Sequence, residues 1–213
     1  RDMHRAVENG DISQARIDDA VKRILTAKFN AGLFDTEPTN GVTLDVVGSK
    51  EHKELARVAV QQSLVLLKNT DVLPLSKKVD SILVAGSSAD TIGRQSGGWT
   101  VEWQGIDGNW IPGTTILEGI KNIVSPTTDI QYDIHGVFPK QTAKADVGIA
   151  IVGEAPYAEG WGDNAHPSLS TEDITTIARL KAQSNKLVVI IISGRPLDIA
   201  PYSDNWDAVV AAW

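Results

Sequence analysis

From Ser81 onward the chain alternates short apolar runs with amphipathic ones. Ser81-Ile-Leu-Val-Ala85, Val147-Gly-Ile-Ala-Ile-Val152, Leu187-Val-Val-Ile-Ile-Ile-Ser193 and Ala208-Val-Val-Ala-Ala212 are short apolar runs rich in β-branched residues. Runs of this kind read as strands, and the continuous Leu187–Ser193 run as one covered on both faces. Thr128–Ile134 alternates in character and reads as a further strand. Between the strands, Thr114–Ile123 sets Ile116, Leu117 and Ile120 on one helical face, and Ser170-Thr-Glu-Asp173 is a capping box opening a helix through Lys181. Strands alternating with helices predict an α/β fold, a three-layer α/β/α sandwich on a mostly parallel sheet.

The N-terminal part follows another pattern. Arg1–Asn9 reads as a helical piece stopped by Gly10. Ser13 is a good N-cap for a second helix, in which Ile17, Val21, Ile24, Leu25 and Lys28 follow the helical period up to Gly32. Residues 35–48 lack periodicity and read as a linker. Ser49 caps a long helix with Glu51 to Lys68 inside it. Leu64–Leu67 at its end is apolar on all sides, so that end is expected to be deeply buried. Leu73-Pro-Leu75 then leads into the Ser81 strand. The expected organisation is a helical segment, 1–34, belonging to something else, a linker at 35–48, and a sandwich over 49–213. The chain starts inside a helix and stops on a strand with no turn after it. It is therefore expected to be a piece of a larger protein, with the sandwich truncated at its C-terminus.

Composition narrows the partners. The 213 residues are 42% apolar and 22% charged, with a net charge of −7. An acidic chain without a basic stripe argues against nucleic acid, and no run approaches the roughly 18 apolar residues of a membrane span. There is no cysteine, and the four histidines are scattered without metal-ligand spacing. No serine elbow of the G-x-S-x-G type is present. Gly86-Ser-Ser-Ala-Asp-Thr-Ile-Gly93 matches neither phosphate-binding glycine fingerprint. No cofactor or metal is expected.

Ligands of such sheets bind beyond the carboxyl ends of the strands, where three loops should meet: Gly86–Gly113, Gly153–Ser168 and Ser193–Pro201. The first carries Gly97-Gly-Trp-Thr-Val-Glu-Trp-Gln-Gly105, with Trp110 shortly after. Indole faces flanked by polar groups suit sugars. Each tryptophan taken singly reads equally well as a packing residue, but Trp99 and Trp103 lie four apart in a glycine-rich loop, which favours a surface platform. The second loop carries Glu154 and Glu159. A carboxyl group beside aromatics and away from water can hold a proton to donate at neutral pH. Pro156 and Gly160 make this segment a turn, so the two glutamates need not point the same way. Residue chemistry does not choose between them, and either could be a solvated loop carboxylate.

Several motifs coincide: Val60-Gln-Gln-Ser-Leu-Val-Leu-Leu-Lys-Asn69 with Leu73-Pro-Leu75, the Gly97–Gly105 run, Val152-Gly-Glu-Ala-Pro-Tyr-Ala-Glu159 with Gly162-Asp-Asn164, and Ser193-Gly-Arg-Pro-Leu197. Together they resemble glycoside hydrolase family 3, in the β-glucosidase and exo-1,3/1,4-β-glucanase branch related to the cereal β-glucan exohydrolases. The resemblance covers essentially the whole chain. It implies that residues 1–34, with Arg16–Leu25 and Gly32-Leu-Phe34, are the helical tail of a (β/α)8 barrel. The remainder would be an (α/β)6-sandwich second domain. It further implies retaining hydrolysis of β-glucosides or β-linked glucan oligosaccharides, with an Asp nucleophile on the absent barrel. Glu159 matches the general acid/base and Trp103 one wall of an aromatic clamp. Trp99 and Glu154 match motif positions with supporting roles. An extracellular or periplasmic location follows from the family and the polymeric substrate. The alternative is a non-catalytic carbohydrate-binding or other ligand-binding α/β domain.

Overall fold

Apolar residues at successive positions of four segments leave a strand no polar face, so those strands have to lie inside a sheet that is covered twice. In the computed structural model of the chain, which describes residues 2–35 and 44–213, they do. The chain divides into two units, Arg1–Ala56 and Arg57–Trp213.

The first unit holds α1 (Asp2–Glu8) and α2 (Gln14–Asn30). Gly10 follows α1 at φ +81°, and the Ser13 side chain caps α2 by accepting from the Arg16 amide. The apolar stripe of α2 is exposed at Val21, Ile24, Leu25 and Phe29. Of the predicted linker, residues 36–43 lie outside the described residues, and Leu44–Val46 forms one 3-10 turn.

Helix α3 (Lys50–Ser63) stops short of the expected Lys68. Val65–Asn69 is instead a strand, β1, and Leu64 to Leu67 are exposed rather than buried. A short run of branched and unbranched apolar residues fits either period, and here pairing decides it. β1 runs antiparallel to β6 (Ala208–Ala212) from Val65↔Ala211 to Asn69↔Ala208, with a one-residue bulge at Leu67. The remaining strands are β2 (Ser81–Ala85), β3 (Asp129–Asp133), β4 (Ala145–Gly153) and β5 (Ser184–Ile192). The six form one sheet in the order β1-β6-β5-β4-β2-β3, parallel throughout except at β1.

Side-chain alternation sends each central strand to both faces. Leu83, Ala85, Val152, Leu187, Val189 and Ile191 meet Ile177 and Leu180 of α6 (Thr171–Gln183) on one side. Ile82, Val84, Val147, Ile149, Ile151 and Val188 meet Leu117 of α5 (Ile116–Ile123) on the other. The expected cap of α6 is present, with the Ser170 side chain accepting from the Asp173 amide, and α5 carries a reciprocal capping box of Thr115 and Glu118 that the sequence reading had not singled out. Leu180 is fully buried and lies over Gly148, where an added Cβ would sit 2.8 Å from its Cγ. Leu180→Ala should therefore cost about 3–4 kcal/mol, because a rigid sheet cannot collapse into the space. A fall in the urea midpoint at unchanged slope would show it, and a change under about 1 kcal/mol would refute it.

Among the described residues no helix is long and apolar enough to cross a membrane, and no three His, Asp or Glu side chains converge as a metal site would require.

Candidate active site

The chain leaves β2 toward the edge strand β3, returns across to β4, and then proceeds through β5 to β6. That reversal lies between β2 and β4, and their carboxyl ends open there into a crevice. An open cleft of about 740 Å³ occupies this point, lined by Ser87 after β2, Gly153–Tyr157 after β4, Ser170–Asp173 at the start of α6, and Arg94 and Arg195. The short helix α4 (Ile92–Ser96) carries Arg94, whose Nε donates to Asp107 at 2.8 Å. Burial pushes the Asp107 carboxyl up, but bonds from Thr91, Arg94 and Gly108 outweigh this and leave it below the usual range.

The two glutamates of the second loop have separate fates. Glu154 follows directly on β4 and turns inward. Its Oε1 receives Nε of Arg195 at 3.1 Å together with the neighbouring guanidinium nitrogen. Its Oε2 receives Ser193 Oγ at 2.6 Å and Tyr157 OH at 3.1 Å. The β4–β5 register, which sets Gly153 beside Ile192, brings these residues together. Arg195 also donates to the Gly162 carbonyl and lies 4.7 Å from the centre of the Tyr157 ring. Burial alone would raise the Glu154 pKa, yet Arg195, Ser193 and Tyr157 together hold it below the usual carboxylate range. Burial and the Glu154 charge push Tyr157 up. Glu154 is thus an ionised tie between two loops.

Glu159 opens a 3-10 turn, Glu159–Gly162, and is exposed. Its φ of +52° lies in the left-handed region, which is strained for a side chain of this size. Trp99 at +61° and Val101 at +60° share that conformation in the first loop. Clustered strain of this kind marks segments shaped for something other than stability. The first loop closes on itself through the Trp99 amide bonded to the Trp103 carbonyl at 2.9 Å. Its indoles stand 6.3 Å apart at 53°, with Trp99 67% and Trp103 44% exposed. Both offer a face to solvent. Trp110 is only half-buried but is tied back by its Nε1 donating to the Ile106 carbonyl.

The structure therefore joins Glu154 to Ser193, Tyr157 and Arg195, and Trp99 to Trp103, while Glu159 stands outside the cleft. The two loops abut: a Cβ on Gly98 would fall 2.0 Å from the Tyr157 carbonyl oxygen, so only glycine fits there. Sequence reasoning placed Arg195 in a motif and on a converging loop without assigning it a contact. The one available signal was a cation shortly after the end of a buried strand, beside a strand followed at once by a glutamate.

Residues 64–213 match the family model described as the glycosyl hydrolase family 3 C-terminal domain. The lysosomal beta glucosidase of Dictyostelium discoideum is 33% identical over 92% of the chain and 26% of its own length. The periplasmic beta-glucosidase of Salmonella typhimurium is 29% identical over 97% of the chain and 31% of its own. The crystal structure of the exo-1,3/1,4-beta-glucanase ExoP from a Pseudoalteromonas species superposes with a TM-score of 0.84 at 36% identity, covering 100% of the chain and 27% of that protein. The chain thus spans about a quarter to a third of the length of these relatives.

Proposed function

The chain belongs to glycoside hydrolase family 3, and from this we propose that it supplies the acid/base half of a retaining exo-acting β-glucosidase or β-glucan glucohydrolase active site. Glu159 is the general acid/base, and Trp103 is one wall of the sugar site. Trp99 and Glu154 support them. Residues 1–34 are the tail of a preceding barrel that carries the Asp nucleophile, 35–48 the linker and 49–213 the second domain.

The choice of Glu159 rests on the contrast between the two glutamates. Glu154 is held ionised by Arg195, Ser193 and Tyr157, and a carboxylate so held has no proton to give. The Glu159 side chain has no hydrogen bond or ion pair among the described residues and is exposed. A retaining reaction sets its two carboxyl groups about 5–5.5 Å apart across the glycosidic bond. Glu159 would protonate the departing glycosidic oxygen while the barrel carboxylate attacks the anomeric carbon. It would then take a proton from the water that cleaves the glycosyl-enzyme. The polymeric substrate and the periplasmic relative support a site of action outside the cytoplasm.

This division of labour predicts that the 213-residue chain alone does not hydrolyse an aryl β-glucoside, whereas the chain joined to its barrel does. Turnover by the purified chain would overturn the reading. The exposed Trp99–Trp103 pair also favours a second reading, a carbohydrate-binding module. Titration of tryptophan fluorescence with cello- and laminari-oligosaccharides separates the two, since tight binding without the barrel is the module's signature.

A further inference from the structure

We propose that Gln104 is a positioning residue that sets the acid/base against the aromatic wall, an inference that rests on the roles given above to Glu159 and Trp103. Gln104 follows Trp103 directly, and its Oε1 accepts from the Ala158 amide at 2.9 Å, one residue before Glu159. The orientation of the side-chain amide is fixed, because a backbone N–H can only donate and must face the oxygen. Nε2 is then turned into the interior, where it is buried without a partner among the described residues. Close packing flanks the bond. The Tyr157 carbonyl lies against Gly98, and Pro156 lies against Gly105, where a Cβ would come within 2.7 Å of the proline Cβ.

A buried donor without a partner destabilises a fold, and a hydrocarbon chain of equal length would remove that donor. What explains an amide at this position is the bond to Ala158. Its mechanical effect is local to the strained residues. Glu159 at φ +52° follows the tethered Ala158, and Trp99 and Val101 lie in the loop just before Gln104. Residues in the left-handed region stay there only while their surroundings over-determine them. With the tether cut, Glu159 relaxes toward ordinary backbone angles and its carboxyl group leaves the position from which it reaches a glycosidic oxygen. A displacement of about 1 Å is enough to lower a rate by up to about a hundredfold.

The test compares Gln104→Met with the wild type in the complete two-domain enzyme on two substrates. One is a dinitrophenyl β-glucoside, whose leaving group departs without protonation, and the other is a disaccharide, whose leaving group needs the acid. The variant should lose about 10- to 100-fold in kcat/KM on the disaccharide and about twofold or less on the dinitrophenyl glucoside. On the latter, kcat and KM should fall together, because the water-activating step is slowed after glycosylation. The ratio between substrates is read in one preparation, so partial misfolding cancels. Equal losses on both substrates, or no loss on either, would overturn the proposal. Glu159→Ala run in parallel separates the failures. If it too lacks the selective loss, the acid/base assignment falls. If it shows the loss and Gln104→Met does not, the positioning role alone falls.

Discussion

Replacing Glu159 by alanine in the complete enzyme is expected to lower kcat/KM on cello- or laminari-oligosaccharides by about 10²–10⁴-fold, the usual range for removing a positioned acid/base. Substrates with activated aryl leaving groups should still glycosylate the enzyme, because their departure needs no proton. The glycosyl-enzyme would then accumulate. Azide should restore turnover with those substrates, since an anion attacks without deprotonation. Glu154→Ala provides the contrast. It removes the tie to Arg195, Ser193 and Tyr157, so activity should fall on both substrate classes alike, and azide should not restore it. Full activity of the Glu159 variant on oligosaccharides would overturn the assignment.

Arg195→Ala should have the largest effect on stability near the site. The substitution leaves the Glu154 carboxylate to Ser193 and Tyr157 alone, frees the Gly162 carbonyl and bares the Tyr157 ring. Breaking a fully buried pair costs about 3–5 kcal/mol. Here the side chains keep 25% and 16% of their exposure, so about 2–3 kcal/mol is expected after screening. That corresponds to a fall in Tm of about 5–10 °C for a chain of this size.

The pH dependence gives a second readout. Glu154 binds its proton more weakly folded than unfolded. Its contribution is therefore complete above the unfolded value, about 4.3, and is lost as pH falls through the lower folded one. The gap between wild type and Arg195→Ala should be full at neutral pH and shrink below about pH 4.3. Asp107 and Asp207 are lowered in the same direction, Asp107 by Thr91, Arg94 and Gly108 and Asp207 by Lys181 and the Leu187 amide, both against burial. The variant should therefore remain acid-sensitive itself. A gap that does not narrow on acidification would show that the Glu154 charge is not its source.

The four inner strands of the sheet were legible because they had no polar face to confuse the period. Leu187–Ile192 and Val147–Val152 are apolar at nearly every position and stand between capped helices. β1 was not legible, because Val65-Leu-Leu67 follows α3 with neither glycine nor proline between them. Only pairing with β6 tells a strand from one more helical turn. At the site, residue chemistry offered Glu154 and Glu159 as equals, and the motif alone preferred one. The sequence could not show that Glu154 meets Arg195, because that contact depends on the β4–β5 register and not on spacing. The Gln104–Ala158 bond has the same origin. It joins two loops that follow different strands, β2 and β4.

The antiparallel edge strand also carries a consequence for synthesis. Val65 pairs with Ala211, so β1 leaves the ribosome with its hydrogen-bonding edge open and waits until the other five strands of the sheet have emerged. The earliest of these six strands finds its partner only once β6 has been made. Contacts this distant in sequence slow folding, because loop closure comes before any gain from pairing. Until β6 arrives, Leu64–Leu67 is an apolar segment with a free backbone edge, the kind of segment that pairs with another nascent chain. Folding yield should therefore depend more on the rate at which β6 is delivered than on the central strands, which can pair as they are made.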